Sequence, residues 1–241
     1  MPGVDGSPET LARGDGVLGE LALRRRVEFD GQAVLELIVN GTFLMDTALT
    51  SAETQLADAV LDRHAAPRRV LVGGLGLGVT ARAVLADVRV EQLVIVEIEP
   101  LLVDWLRSGL VPGAQLILQD PRVEIRTADV IEVLRRAADR SFEAVVLDVD
   151  NGPGFLVHPR NAALYERVAL TDAARVLTPD GVVAIWSADP WPELGRMLAT
   201  VFGHHEEITQ TVFRDEREIT YQIYLATLAP APPRADDVRH G

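Results

Sequence analysis

The sequence has no cysteine among its 241 residues, which excludes disulfides, thiolate zinc sites and cysteine nucleophiles. No apolar run approaches the roughly 18 residues of a membrane span. The amino terminus, MPGVDGSPETLARGDG, lacks the basic and apolar pattern of a secretion signal. Positive charge is also short: 23 Lys and Arg stand against 36 Asp and Glu, a net charge of −13. A general nucleic-acid binder needs a basic face, so that class is set aside along with a membrane role. An acidic field suits a cationic small substrate. The expectation is a cytoplasmic protein whose partner is a small molecule.

What is present is a 48% hydrophobic chain, long enough for one large domain or a domain with a small appendage. Residues 1–16 and 229–241 are rich in Gly, Pro and charge and read as disordered tails. Residues 17–50 read as a three-stranded β-meander whose turns are marked by Asp30-Gly31 and Asn40-Gly41, pairs that suit positive φ at both turn residues. Arg24, Arg25 and Arg26 fit a solvated strand edge. A helix is expected from about 51 to 64, with Thr50 and Glu53 at capping-box spacing.

From residue 69 short apolar runs alternate with helical stretches: RVLVG, QLVIVEI, RVEIRTA, FEAVVLD and GVVAIWS each precede a helix. Continuously apolar strands imply a parallel sheet covered on both faces. EITQTVFR and ITYQIYLATL read instead as an antiparallel hairpin. The predicted fold is α/β: a doubly wound, mostly parallel Rossmann-like sheet over residues 51–228, closed by an antiparallel hairpin and preceded by the small β-meander.

Ligands of such sheets bind beyond the carboxyl ends of the strands, and four consecutive strands end in suggestive residues. The first ends in VLVGGLGLGVT, where Gly74, Gly76 and Gly78 let the backbone turn and approach a ligand. The second ends in Glu97, suited to ribose hydroxyls. The third ends in Asp129, suited to an adenine amine or to a helix N-cap. The fourth ends in Asp148, Val149, Asp150, Asn151 and a Gly-Pro-Gly loop. An acid after the third strand favours an adenosyl sulfonium over NAD. Glu99 is expected to face solvent or cap the next helix. His158 fits a local hydrogen-bond partner and His204-His205 a structural role. Trp186 and Trp191 suit either a pocket wall or the core. No His, Asp and Glu spacing suggests a metal.

With these motifs in order, residues 17–228 resemble the spermidine synthase (polyamine aminopropyltransferase) family within the class I methyltransferase fold. The resemblance rests on VLVGGLGLGVTARAVL, VIVEIEP, DPRVEIRTADVIEVL, FEAVVLDVDNGPG and the LY-then-TPDGVV stretch. It implies decarboxylated S-adenosylmethionine as donor of an aminopropyl group, a small amine as acceptor, and a homodimer built through the N-terminal β region. It places Glu97 on the ribose, Ile98 against the adenine, Asp129 at its amine and Asp148 beside the sulfonium side chain. Tyr165 would reach the acceptor pocket; from the residues themselves, Asp150 is the candidate to take the acceptor's proton and Glu53 the candidate to hold a cationic acceptor.

Three positions depart from the family pattern. Leu77 stands where an aspartate usually anchors the donor's amino group. Asn151 stands where a second aspartate usually helps deprotonate the amine, and an amide is no base near neutral pH. TALTSAE (residues 47–53) replaces an acidic and aromatic stretch. Transfer of an aminopropyl group is the leading reading. A methyltransferase using S-adenosylmethionine and a non-catalytic nucleoside-binding or assembly protein are the alternatives.

Overall fold

The computed structural model describes residues 8–214 and 217–228; residues 1–7 and 229–241, which include the expected carboxyl-terminal tail, lie outside them. Four antiparallel strands come first: β1 Glu9–Gly16, β2 Gly19–Val27, β3 Ala33–Val39 and β4 Thr42–Asp46, paired in that order. The expected tail over 1–16 is thereby corrected, because residues 9–16 pair with β2 through a register from Glu9–Arg25 to Gly16–Gly19. The polar, glycine-rich composition of β1 does not matter here, since its order comes from ladder hydrogen bonds and from packing on Leu101 and its helix.

Asn40 and Gly41 both take positive φ (51° and 76°), as an Asn-Gly hairpin turn requires. The turn at Asp30 differs. Only Gly31 has positive φ, and the loop closes through Glu28 N–H to Gln32 O (2.9 Å), with the Asp30 carboxylate accepting from Gln32 N–H.

Helix α1, Ser51–Leu61, leads into β5 Arg69–Gly73, α2 Val79–Ala86, β6 Gln92–Glu97, α3 Pro100–Arg107, the short α4 Ala114–Leu118, β7 Val123–Thr127, α5 Val130–Arg136 and β8 Phe142–Leu147. A 3-10 helix over Pro159–Tyr165 precedes α6 Arg167–Val176, β9 Leu177–Ser187, α7 Pro192–Phe202, β10 Gly203–Arg214 and β11 Arg217–Leu228. The seven strands run in the order β10-β11-β9-β8-β5-β6-β7. β7, β6, β5, β8 and β9 are mutually parallel, and β11 joins β9 and β10 antiparallel. The Rossmann-like sheet with its closing hairpin is therefore as predicted.

Apolar side chains pack on both faces of this sheet. One core unites Val70, Val72 and Ile95 of the sheet with Leu56 and Val60 of α1, and also with Leu21, Leu23, Leu35 and Leu37 of the N-terminal sheet. The other joins Leu71, Val94 and Val145 to Leu170, Leu194 and Leu198. The N-terminal strands thus share a core with the Rossmann-like unit rather than forming an independently packed appendage.

Candidate active site

The sheet reverses its direction of winding between β5 and β8, and their carboxyl ends build the site. Ladder bonding continues past the strand ends: Gly74 N–H reaches Val96 O, Asp148 N–H reaches Gly73 O and Ala128 N–H reaches Glu97 O, each at 2.8–2.9 Å. These bonds hold the glycine loop, Glu97, Asp129 and Asp148 side by side around one cleft of about 450 Å³. Gly74 has φ of +94°, and a Cβ there would lie 2.0 Å from Asp148 O. The glycine is therefore required for the two loops to touch, independently of any ligand.

Gly74, Gly76, Glu97, Ile98, Asp129, Asp148, Asp150, Asn151 and Glu53 all line this cleft. Gly78 instead forms the left-handed N-cap of α2 behind it.

Glu97 is buried, and its two oxygens accept from Leu75 N–H (2.8 Å) and Glu99 N–H (2.9 Å). Burial raises its pKa, and these backbone donors oppose the rise. A carboxylate offers about four acceptor positions, so the Glu97 oxygens retain some acceptor capacity toward the cleft. Asp129 caps α5 by accepting from Ile131 N–H at 2.8 Å while bordering the same cleft, so the capping role holds. Thr80 Oγ donates to Asp148 Oδ2 at 2.6 Å, and burial raises the Asp148 pKa.

The acceptor side is less regular. Thr50 makes no side-chain cap to α1, so the capping-box expectation fails: its backbone (φ −110°, ψ 8°) lies outside cap geometry, and Glu53 turns into the cleft instead. One oxygen of Glu53 is buried without a hydrogen-bond partner. Burial first, then the charge of Asp148, lifts its pKa to about 7.

Asp150 is nearly the reverse. It is buried and accepts from Asn151 N–H (2.8 Å), Val157 N–H (2.6 Å) and Asn161 Nδ2 (2.6 Å). These donors fix the loop after β8, and they oppose the rise in pKa that burial imposes on Asp150.

Tyr165 does not line the cleft. The 3-10 helix turns Arg160, Asn161 and Leu164 toward it, while the Tyr165 ring packs on the second core. Burial, with the charges of Asp150 and Asp148, raises its pKa. Leu77 is fully buried in the first core, so no carboxylate stands at that point of the glycine loop. His158 accepts from Arg160 N–H at 3.2 Å, the local role expected of it. Trp186 lines the cleft and Trp191 sits outside it, its backbone N–H donating to Tyr224 Oη at 2.5 Å.

Glu99 departs from the solvent-facing alternative. It is buried, its Oε1 caps α3 through Leu101 N–H, and its Oε2 accepts from Val17 N–H (2.7 Å) and Leu18 N–H (3.3 Å) in the β1–β2 turn. Nothing in the sequence pattern marked that tie. Asn161, which secures Asp150, was likewise not foreseen. Among the described residues no group of three or more His, Asp or Glu side chains has the geometry to hold a metal ion, and no helix is long and apolar enough to cross a membrane.

Residues 50–212 match the spermine/spermidine synthase domain family. The chain is 27% identical over 215 residues to polyamine aminopropyltransferase 1 of Hyperthermus butylicus, an alignment covering 80% of this chain and 72% of that protein. It is 28% identical over 240 residues to polyamine aminopropyltransferase 2 of Pseudomonas aeruginosa, covering 85% and 66%. The fold superposes on a spermidine synthase in complex with the transition-state analogue AdoDATO with a TM-score of 0.79 at 19% identity, covering 93% of this chain and 75% of that one. The spermidine synthase of Thermotoga maritima gives a TM-score of 0.77 at the same identity and coverage.

Proposed function

The chain belongs to the spermine/spermidine synthase family, and from that premise we propose that it moves an aminopropyl group from decarboxylated S-adenosylmethionine to a small amine. The observation that carries this reading is one cleft with two differently equipped ends. Glu97, Ile98 and Asp129 suit an adenosine, and Asp148 with Glu53, one of whose oxygens is buried without a partner, suits a cationic chain.

In the proposed reaction the amine nitrogen attacks the propyl carbon bonded to the sulfonium. The new C–N bond forms as the C–S bond breaks, and the sulfur takes the bonding electrons and leaves as the neutral thioether of methylthioadenosine. No acid is needed at the leaving group, so the chain's task is alignment and exclusion of water. The attacking nitrogen sheds one proton. Asp148 and Glu53 are the groups proposed to draw the ammonium in and to take that proton. Asp150 acts one step away by fixing the loop that carries Asn151.

Calorimetry with decarboxylated S-adenosylmethionine, S-adenosylmethionine and methylthioadenosine tests the reading. Tighter binding of the decarboxylated donor, together with amine-dependent release of methylthioadenosine, is expected. Preference for S-adenosylmethionine would replace it with methyl transfer, the alternative that Leu77 favours by leaving the donor's amino end without its carboxylate anchor.

Assembly as a homodimer through the N-terminal sheet belongs to the same proposal. That sheet and its loops expose Val17, Val27 and Phe29, an arrangement suited to a second copy. Light scattering should give twice the 26.2 kDa chain mass; a monomer would remove it.

A further inference from the structure

Among the described residues Arg160 is the one cationic side chain lining the cleft, against the carboxylates of Asp46, Glu53, Asp148, Asp150 and Asp189. Most arginines of the chain are held in ion pairs with neighbouring acids, such as Arg26 with Asp46 and Arg122 with Asp120. The side chain of Arg160 has no ion pair or hydrogen bond among the described residues, and Asp189, which shares the cleft, does not pair with it. It is carried on the 3-10 helix next to Asn161, whose bond to Asp150 anchors that helix to the reaction loop. A second donor waits in the same cleft: the indole N–H of Trp186 is buried and has no partner. In the cleft, then, one buried carboxylate oxygen (Glu53) and two hydrogen-bond donors (Arg160 and Trp186) are unengaged, and the exposed Asp189 carboxylate is also unpaired among the described residues. Asp150 is already committed to three N–H donors and residue 151 is an amide, so neither is as free to receive an ammonium as Glu53.

We infer that Arg160 is a specificity residue that receives a carboxylate on the acceptor, so that the preferred acceptor is an amino acid with a reactive side-chain amine rather than a plain diamine. A planar guanidinium is suited to bidentate pairing with a carboxylate and repels an ammonium. Glu53 and Asp148 hold the amine, Arg160 and the Trp186 N–H hold the carboxylate, and the bond changes at the sulfonium are those given above. The inference rests on the aminopropyl-transfer reading.

Ornithine and putrescine, which differ only by that carboxylate, are the test pair. Release of methylthioadenosine from decarboxylated S-adenosylmethionine is expected to show a kcat/KM for ornithine about tenfold above that for putrescine. Arg160→Ala should abolish the preference, Arg160→Lys should keep part of it, and Trp186→Phe should reduce it. A preference for putrescine, or an ornithine preference that survives Arg160→Ala, overturns the assignment. If neither amine releases methylthioadenosine, the transfer reading fails by itself. Calorimetry of the two amines with the methylthioadenosine-loaded protein then decides for Arg160: tighter ornithine binding lost in Arg160→Ala supports it, and equal affinities overturn it. A donor arm separates the other source of a carboxylate. Should Arg160→Ala weaken S-adenosylmethionine but leave the ornithine-to-putrescine ratio untouched, the arginine serves the donor and the inference falls.

Discussion

The loop after β8 and the first turn of α1 bring one carboxylate each to the same cleft, and they bond them in opposite ways. Asp150 commits most of its acceptor capacity to three N–H donors from its own loop and the neighbouring 3-10 helix. Glu53 keeps a buried oxygen with no partner at all. A satisfied carboxylate stabilises a conformation, whereas a buried orphan costs free energy unless something arrives to bond it. The difference teaches that proximity to a cleft does not make an acid a catalyst; what matters is the acceptor capacity its neighbours leave it.

The comparison can be broken most forcefully at Asp148, which has Thr80 as its side-chain donor. Asp148→Asn should cut turnover by about 100-fold or more while thermal unfolding shifts by only a few degrees; full activity would remove this carboxylate from the reaction.

Glu53→Gln sharpens the contrast through pH. Glu53 has a folded pKa of about 7 against an ordinary 4.5. The folded protein therefore holds a proton that the unfolded chain has already released, and stability falls as pH rises through that window. Wild type and variant should match near pH 4, and the variant should be more stable at pH 8 by about 2–3 kcal/mol, read by urea unfolding. In the same variant, a rise of kcat/KM with pH centred near 7 should vanish.

Glu99→Ala leaves three N–H groups without their acceptor. It should lower stability by about 2 kcal/mol and speed amide exchange at Val17 and Leu18. Unchanged exchange would show that the turn is held by other contacts.

The smallest effect is expected at Asp150→Asn. The amide keeps an oxygen for the Asn151 and Val157 N–H groups, and the Asn161 amide can rotate to accept in its turn. Turnover should fall only severalfold, with a stability loss of about 1 kcal/mol. A loss as large as that of Asp148→Asn would return Asp150 to the reacting set.

The β–α alternation was readable because β5, β6, β8 and the second half of β9 are buried, continuously apolar runs, while the edge strand β7 (VEIRT) is marked by alternation and by the Asp129 cap signal after it. The donor side was readable for a related reason: Glu97, Asp129 and Asp148 are strand-end acids whose positions follow once the strands are placed. β1 was not, because ETLARGDG carries no apolar alternation and is ordered by its pairing with β2. α4, five residues without a side-chain cap, gives no periodic signal. The pairing of Asp150 with Asn161 depends on where a loop folds back, and the burial of Glu99 depends on a hairpin 81 and 82 residues away covering it. Neither leaves a local trace. Thr50 and Glu53 show the opposite failure, a local pattern overridden because the acid turns toward the cleft.

The tie from Glu99 to Val17 also sets an order of events during synthesis. The four N-terminal strands emerge from the ribosome well before Glu99 does, and they can pair with one another at once. Their seating on α3 has to wait until that glutamate has been made and its helix has formed. A nascent chain stalled before residue 99 would thus present a hairpin whose turn N–H groups are still bonded to water. Pulse-labelled exchange on stalled chains of increasing length should show protection at Val17 and Leu18 arriving late, in step with the second parallel strand rather than with the hairpin that contains them.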